Sequence, residues 1–164
     1  MIIGNGDIAS ALNDREGAIF FASGVSNSNE TNERAFEREI NLLREYRPLQ
    51  DCLFYFSSLA IDFRKPWEHS RYFRHKIEME KYVKLWFQHY NIIRIGNIDW
   101  GTNPNTFLNY IKFKRAHGEQ VEIRDEWKYM ISKEQLRLLT DNLPLTGQNT
   151  ISVFGECKKV KDLV

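Results

Sequence analysis

Short apolar runs alternate along this chain with longer segments in which apolar residues recur at helical spacing. The runs at residues 18–22, 52–56 and 91–95 are typical of buried strands, and the segments 32–46 and 68–89 between them are typical of helices. A strand, a helix and a further strand form a βαβ unit, in which the strands lie parallel. The sequence therefore predicts an α/β protein with a mostly parallel sheet flanked by helices on both faces.

Composition and charge narrow the possible functions. The chain has 164 residues, enough for a single domain spanning 1–164, and its 23 basic and 22 acidic residues nearly cancel. Because basic residues are interleaved with acidic ones, we expect no nucleic-acid partner. With no targeting signal and no apolar stretch of membrane-spanning length, we expect a cytoplasmic protein without a membrane partner. The four histidines lack ligand spacing, so no metal site is expected.

A glycine turn follows the short apolar start of the chain. Gly4, Gly6 and Ala9 fit the pattern G-x-G-x-x-A, which lets a diphosphate approach backbone amides at the N-terminus of a helix, here predicted over 7–13. A tight turn without a ligand is an equally good interpretation. Asp7 argues against ordinary dinucleotide binding, because its carboxylate would lie where the phosphates sit and, as a helix cap, would compete for the same amides.

The acidic residue that usually binds the ribose in dinucleotide sites is also missing. It is expected about twenty positions after the glycine turn, at the end of the second strand. In this chain the next strand ends instead in Ala22, Ser23 and Gly24.

Tyr72 and Lys76 form a Y-x-x-x-K pattern at the start of a predicted long helix. Residues four apart lie on one helix face, so the ammonium can lower the pKa of the phenol and make it a usable base. Tyr110 with Lys114 and Tyr129 with Lys133 match the same spacing, and a pair of surface residues is the simplest interpretation of any one copy. Only the copy at Tyr72 opens a long helix and follows a strand that ends in a serine pair.

Ser57 and Ser58 end that strand. They fit an ordinary turn, but hydroxyls at the carboxyl end of a parallel strand also face the crevice in which open α/β sheets bind ligands.

Taken in this order, the segments resemble the extended short-chain dehydrogenase/reductase family, in particular its NAD-dependent nucleotide-sugar epimerases and dehydratases. The resemblance implies a Rossmann-like fold, NAD or NADP as cofactor and a nucleotide-sugar as substrate. Ser58, Tyr72 and Lys76 fall on the catalytic positions, and Lys76 also on a cofactor-binding one. The other implied cofactor-binding residues are Gly4, Gly6, Ala9, Ala22 and Ser23, and the implied substrate-binding residues are Ser57, Asn97 and Arg124.

The chain departs from that family in the cofactor-binding half. Between Leu12 and Ala18 there is no room for the second and third strands, which hold the adenosine in the family. Residues 98–164 correspond to a reduced substrate-side portion. Without the missing strands the first strand becomes a sheet edge, which predicts that a homo-oligomer can form there.

Two functions remain open on the sequence. The chain is either an NAD(P)-dependent enzyme that acts on a nucleotide-sugar through Ser58, Tyr72 and Lys76, or a non-catalytic module that binds a nucleotide or nucleotide-sugar on the same scaffold.

Overall fold

The structure is a computed structural model that describes residues 1–63, 65, 70–121 and 127–163. Its strands are β1 (Ile2–Ile3), β2 (Ala18–Phe21), β3 (Cys52–Ser58), β4 (Tyr90–Ile95), β5 (Asn97–Ile98), β6 (Trp127–Ile131), β7 (Gln148–Val153) and β8 (Glu156–Lys159). Its α-helices are α1 (Glu33–Glu45), α2 (Arg71–Trp86), α3 (Phe107–Ala116) and α4 (Lys133–Asn142). Among the described residues, no helix is both long enough and apolar enough to cross a membrane.

Five strands form the main sheet in the order β1-β2-β3-β4-β7, and all of them run parallel. A smaller sheet has the order β5-β6-β8, with β5 parallel and β8 antiparallel to β6. The predicted α/β class with a mostly parallel, helix-flanked sheet is confirmed. β1 lies at one edge of the main sheet, next to β2.

The two faces of the main sheet carry separate apolar cores. Leu53, Tyr55 and Ile92 point toward α1 and α2, whereas Phe54 and Ile93 point toward the opposite face, on which α4 packs through Leu136. All of these side chains are buried. Burial of both faces explains why these strands are continuous apolar runs rather than alternating ones.

The glycine turn is not followed by an α-helix. The predicted helix over 7–13 is wrong: only Ala9–Ala11 is helical, as a single 3₁₀ turn, and it ends at Leu12. The Asp7 side chain does not cap this turn, whose N-cap is Ile8 without a side-chain hydrogen bond. A three-residue turn carries no helix dipole of the kind that binds a diphosphate.

Candidate functional site

Lys76 is held in a buried network centred on Glu39. Its Nζ lies 3.3 Å from Glu39 Oε1 and donates to the hydroxyl of Tyr55 at 3.1 Å. The Tyr55 hydroxyl donates to the same carboxylate at 2.9 Å. Glu39, on α1, accepts two further bonds, from the backbone N–H of Val25 at 2.7 Å and from His75 Nε2 at 2.9 Å. Lys76, the lysine of the Y-x-x-x-K pattern, is therefore already paired with the carboxylate of Glu39 inside the protein.

Glu39 is completely inaccessible to solvent. Burial by itself raises the pKa of its carboxyl, but the attraction of Lys76 and the hydrogen bonds from His75 and Val25 outweigh burial and lower the pKa to about 2. Every group around this carboxylate is a donor. His75 Nδ1 is buried and has no hydrogen-bond partner among the described residues.

The backbone at the end of β2 is packed tightly against this ion pair. A Cβ on Gly24 would lie 2.7 Å from Glu39 Oε1 and 2.8 Å from Lys76 Nζ. A larger residue at position 24 would therefore push the pair apart. The ion pair occupies the space directly beside the strand end at which the resemblance places cofactor contacts.

Tyr72 and Lys76 do lie near each other on α2, as their spacing predicts. Lys76 Nζ is 5.8 Å from the centre of the partly buried Tyr72 ring. Burial raises the pKa of the Tyr72 phenol, Lys76 opposes this effect, and Glu39 adds to it. The net result is a pKa above the ordinary value for tyrosine, because burial is the largest of the three effects and Glu39 adds to it. Lys76 does lower the pKa of Tyr72, as the sequence predicts, but burial and Glu39 together raise it by more.

Ser58 ends β3 and is partly buried. Its hydroxyl oxygen accepts a hydrogen bond from the backbone N–H of Ala60 at 3.3 Å and so caps the 3₁₀ helix Leu59–Asp62. In this contact the hydroxyl is an acceptor, and no acceptor for its own hydrogen is found among the described residues.

Ser57 lies in a second polar network. Its hydroxyl donates to Glu80 Oε1 at 2.7 Å, and Arg94 binds the same carboxylate through Nε at 2.9 Å and NH2 at 2.6 Å. Arg94 also pairs with Asp62 at 2.5 Å, and the other oxygen of Asp62 accepts from Ser152 at 2.5 Å. The network ties the carboxyl ends of β3, β4 and β7 together.

The predicted cofactor-binding residues near the N-terminus lie close together but have packing roles of their own. Gly4 has a φ of +119°, and a Cβ there would lie 2.5 Å from the carbonyl oxygen of Ala22. Around Gly6 there is open space for a side chain. Ala9 is buried in the 3₁₀ turn, and the carbonyl of Ser23 accepts from Arg38 at 2.8 Å. Contact between β1 and β2 is thus sufficient to explain Gly4.

Asp7, which directly follows Gly6, is hydrogen-bonded to the loop after β5. Its carboxylate accepts hydrogen bonds from the backbone N–H groups of Thr102 and Asn103, both at 3.0 Å, and its carbonyl accepts from the Trp100 indole at 2.9 Å. Gly101 lies between them with a φ of +98°, and a Cβ there would lie 2.1 Å from Asp7 Cγ. We call these contacts between Asp7 and residues 100–103 the Asp7 clamp.

The residues present do not fit a dinucleotide held as the resemblance implies. The Asp7 clamp joins the glycine turn directly to the loop after β5, and its carboxylate repels a diphosphate. Lys76, which would hold the ribose of the nicotinamide, is paired with Glu39. Among the described residues, the main sheet has no strand beyond β1, where the resemblance would place the adenosine-binding strands.

The predicted substrate residues have different outcomes. Asn97 begins β5, and its Nδ2 donates to the carbonyl of Tyr129 on β6 at 3.3 Å, so the side chain joins two neighbouring strands of the smaller sheet. Arg124 lies outside the described residues. In the part of the chain that the structure describes, no three His, Cys, Asp or Glu side chains are grouped so as to hold a metal ion.

Glu39 is not among the site residues predicted from the sequence, although its spacing from apolar neighbours on the helix indicates that it is buried. Phe36, Glu39 and Leu43 follow one another at helical spacing on the buried face of α1, and a carboxylate between two core positions needs a partner. The sequence does not show which residue is that partner, because Lys76 is 37 positions away along the chain.

The fold is shared with solved epimerases of low sequence identity. UDP-glucose 4-epimerase from Thermus thermophilus, in complex with NAD, aligns with a TM-score of 0.66 and 13% identity over 90% of this chain and 59% of that chain. UDP-N-acetylglucosamine 4-epimerase from Methanobrevibacter ruminantium, in complex with UDP-N-acetylmuramic acid, aligns with a TM-score of 0.61 and 15% identity over 97% and 61% of the two chains. The enzyme WbmH from Bordetella bronchiseptica, in complex with NAD⁺, aligns with a TM-score of 0.66 and 14% identity over 89% of this chain and 55% of that chain.

No protein-family model matches the chain, and no curated protein matches it in sequence. The chain spans only 55% to 61% of the length of the three structures above. Identities this low establish a likeness of fold and not of activity. The chain is therefore similar in fold, over about nine-tenths of its length, to part of the Rossmann-like nucleotide-sugar epimerases.

Proposed function

We propose that the chain is a non-catalytic module that binds a nucleotide-sugar at the carboxyl edge of its parallel sheet and does so without a dinucleotide. The observation that carries this proposal is the buried pairing of Lys76 with Glu39 and Tyr55. A lysine fixed in this way is neither free to hold a cofactor ribose nor able to bring the pKa of Tyr72 below its ordinary value. Hydride chemistry on a sugar also needs a cofactor, because side chains cannot accept a hydride.

Two observations support a nucleotide-sugar as the ligand. The solved enzymes with this fold include complexes with UDP-glucose and UDP-N-acetylmuramic acid. In this chain Ser58 and Asn97 stand at the carboxyl ends of β3 and β4, where open parallel sheets bind their ligands. Ser58 has a hydroxyl hydrogen to donate, and Tyr72 offers a phenol that stays protonated.

Calorimetric titration with UDP-glucose, NAD and NADP tests this proposal. We expect binding of UDP-glucose and no measurable binding of either dinucleotide. Ser58→Ala is expected to weaken UDP-glucose several-fold through the loss of one hydrogen bond, while exposed Ser28→Ala serves as a matched control. Micromolar binding of NAD would contradict the proposal.

The NAD(P)-dependent enzyme remains the second candidate, favoured by the 5.8 Å approach of Lys76 to the Tyr72 ring. In that case Tyr72 would act as the base on a sugar hydroxyl, with Ser58 bound to the same hydroxyl. Any epimerase or dehydratase activity that Tyr72→Phe abolishes, with folding intact by circular dichroism, would establish this candidate in place of the first.

Self-association through β1 also remains a prediction. β1 is at the sheet edge but contributes only two residues, Ile2 and Ile3, so edge pairing alone would supply few backbone hydrogen bonds. Analytical ultracentrifugation tests it, and a monomer at high concentration would contradict it.

A further inference from the structure

Three exposed aromatic rings contact one another at one end of the molecule. Phe63, Tyr129 and Phe154 expose 59%, 37% and 43% of their surface. The rings of Phe63 and Tyr129 are stacked with centres 6.0 Å apart, and Phe154 meets both edge-on, at 5.9 and 5.2 Å. We call these three residues the aromatic patch. Large apolar side chains grouped in solvent are costly unless they meet a ligand or partner.

The patch lies at the carboxyl edge of the main sheet. Phe63 follows the 3₁₀ helix after β3, and Phe154 directly follows β7. Tyr129 belongs to β6, and its carbonyl is bound by Asn97, just after β4. The three rings thus come from three separate segments that the fold brings to the edge where ligands of such sheets bind.

Two glycines fix the position of the patch. A Cβ on Gly96 would lie 2.7 Å from the carbonyl oxygen of Tyr129. Gly155, next to Phe154, has a φ of +66°, and a Cβ there would lie 2.2 Å from the carbonyl oxygen of Met130. Both glycines allow the backbone of β6 to approach closely, so the rings are held by backbone packing rather than by one another alone.

A polar network borders the aromatic patch. Asp62 precedes Phe63, Ser152 lies two residues before Phe154, and the two polar side chains are hydrogen-bonded at 2.5 Å. Asp62 is also paired with Arg94, and its side chain remains 23% exposed. Among the described residues, each of its carboxylate oxygens has one of these partners, so each oxygen has a second lone pair that can accept another hydrogen.

Aromatic rings beside a partly exposed, hydrogen-bonded carboxylate suit one class of ligand. The C–H face of a pyranose ring packs on aromatic faces, and its hydroxyls donate to carboxylates. A flat apolar protein surface fits less well, because it would remove water from Asp62 and Arg94 without replacing their hydrogen bonds. A phosphate is disfavoured by the charge of Asp62.

We propose that the aromatic patch is a stacking platform for the pyranose ring of the bound sugar, with Asp62 accepting hydrogen bonds from its hydroxyls. This inference rests on the proposed function and adds where, and by which chemistry, the sugar is recognised. It assigns Phe63, Tyr129 and Phe154 a binding role that the sequence patterns did not indicate.

The test compares Tyr129→Ala and Phe154→Ala with the wild type, using UDP-glucose, UDP and methyl glucoside as probes in calorimetry. We expect each variant to bind UDP-glucose about five- to tenfold more weakly, the range for loss of one ring contact, and to bind UDP as the wild type does. Leu85→Ala is the matched control, because Leu85 is 76% exposed on α2. Circular dichroism melting checks that each variant is folded.

The outcomes separate this inference from the proposed function. Unchanged UDP-glucose binding by both ring variants overturns the inference and leaves the proposed function standing. An equal loss of UDP also overturns it, because the rings would then contact the nucleotide. Binding of methyl glucoside with the same loss supports it and shows that the sugar is recognised without a nucleotide. If the wild type binds neither UDP-glucose nor UDP, the proposed function fails and the inference fails with it.

Self-association is the remaining alternative. If sedimentation shows a wild-type dimer that Tyr129→Ala converts to a monomer, the patch is a contact between chains and the inference is overturned.

Discussion

Replacing Glu39 by glutamine isolates the charge of the buried carboxylate, because the two side chains have almost the same shape. Glu39 accepts from Val25, Tyr55 and His75 and pairs with Lys76, so all its neighbours are donors. In either orientation the amide NH₂ of glutamine would face donors, and Lys76 would remain buried without a counter-charge. Removing one member of a buried ion pair typically costs about 3–5 kcal/mol.

The pKa of Glu39 gives a second figure for how much this carboxylate stabilises the fold. A pKa of about 2 instead of the ordinary 4.5 corresponds to about 3 kcal/mol of stability at neutral pH. Because the folded-state pKa is the lower one, this contribution is complete above pH 4.5 and is lost as the pH falls from 4.5 toward 2. We therefore expect Glu39→Gln to be less stable than the wild type at pH 7, with the difference shrinking in acid.

Urea denaturation followed by circular dichroism at pH 7, 4 and 3 measures this difference. At pH 7 we expect a loss of about 3–5 kcal/mol, a large share of the stability of a domain of this size, and a Tm lower by roughly 10 °C. Glu37→Gln is the matched control, because Glu37 is exposed on the same helix and should change stability by less than about 0.5 kcal/mol.

A double variant tests whether the cost comes from the unpaired lysine. Combining Glu39→Gln with Lys76→Met removes the unpaired charge and keeps an amide oxygen as acceptor, and we expect it to be more stable than Glu39→Gln alone, because no lysine is then buried without a counter-charge. If Glu39→Gln lowers the free energy of unfolding by less than about 1 kcal/mol, or by an amount that does not depend on pH, the charge of Glu39 does not stabilise the fold in this way.

Three further predictions follow from other contacts. Asp7→Ala removes the acceptor of two backbone hydrogen bonds, so we expect a loss of about 1–3 kcal/mol in urea denaturation, whereas exposed Asp51→Ala should have almost no effect; equal losses would contradict the Asp7 clamp. Gly101→Ala combines a positive φ with overlap of Asp7, and we expect a larger loss of stability than for Gly118→Ala, which has a positive φ but open space; equal losses in thermal melts would count against the overlap. Burial raises the pKa of Cys52 to about 11, so iodoacetamide at pH 8 should label exposed Cys157 first, and mass spectrometry showing faster labelling of Cys52 would disagree.

The sequence predicted β2, β3 and β4 well, because burial on both faces makes each of these strands a largely apolar run. Residues 52–56 lie in β3, which is buried over nearly its whole length. The sequence also predicts helices over 106–115 and 133–141, and these correspond to α3 and α4 within one residue. It further predicts a short strand over 119–123; residues 119–121 form no strand, and residues 122 and 123 lie outside the described part of the chain. β6 was missed because Trp127 and Tyr129 are exposed, so the strand lacks a continuous apolar run.

The candidate site was only partly predictable, because its decisive contacts join residues far apart in sequence. Helical spacing correctly placed Tyr72 near Lys76, since residues four apart share a face. The pairing of Lys76 with Glu39 depends on how α1 packs beside α2. Likewise Asp7 was expected to compete with phosphates from within its own turn, whereas its carboxylate binds amides 95 and 96 positions away.

Thermal unfolding in the presence of NAD or UDP-glucose measures which of them the folded chain binds, because a ligand of the folded state raises the Tm by an amount that grows with the logarithm of its concentration divided by its Kd. A ligand present at about a hundred times its Kd stabilises the native state by about 2.7 kcal/mol, which shifts the Tm by several degrees. We expect the Tm to rise with UDP-glucose and to stay unchanged with NAD at the same concentration. A rise with NAD of several degrees would contradict this expectation, because Lys76 and the Asp7 clamp would then have to yield to a cofactor.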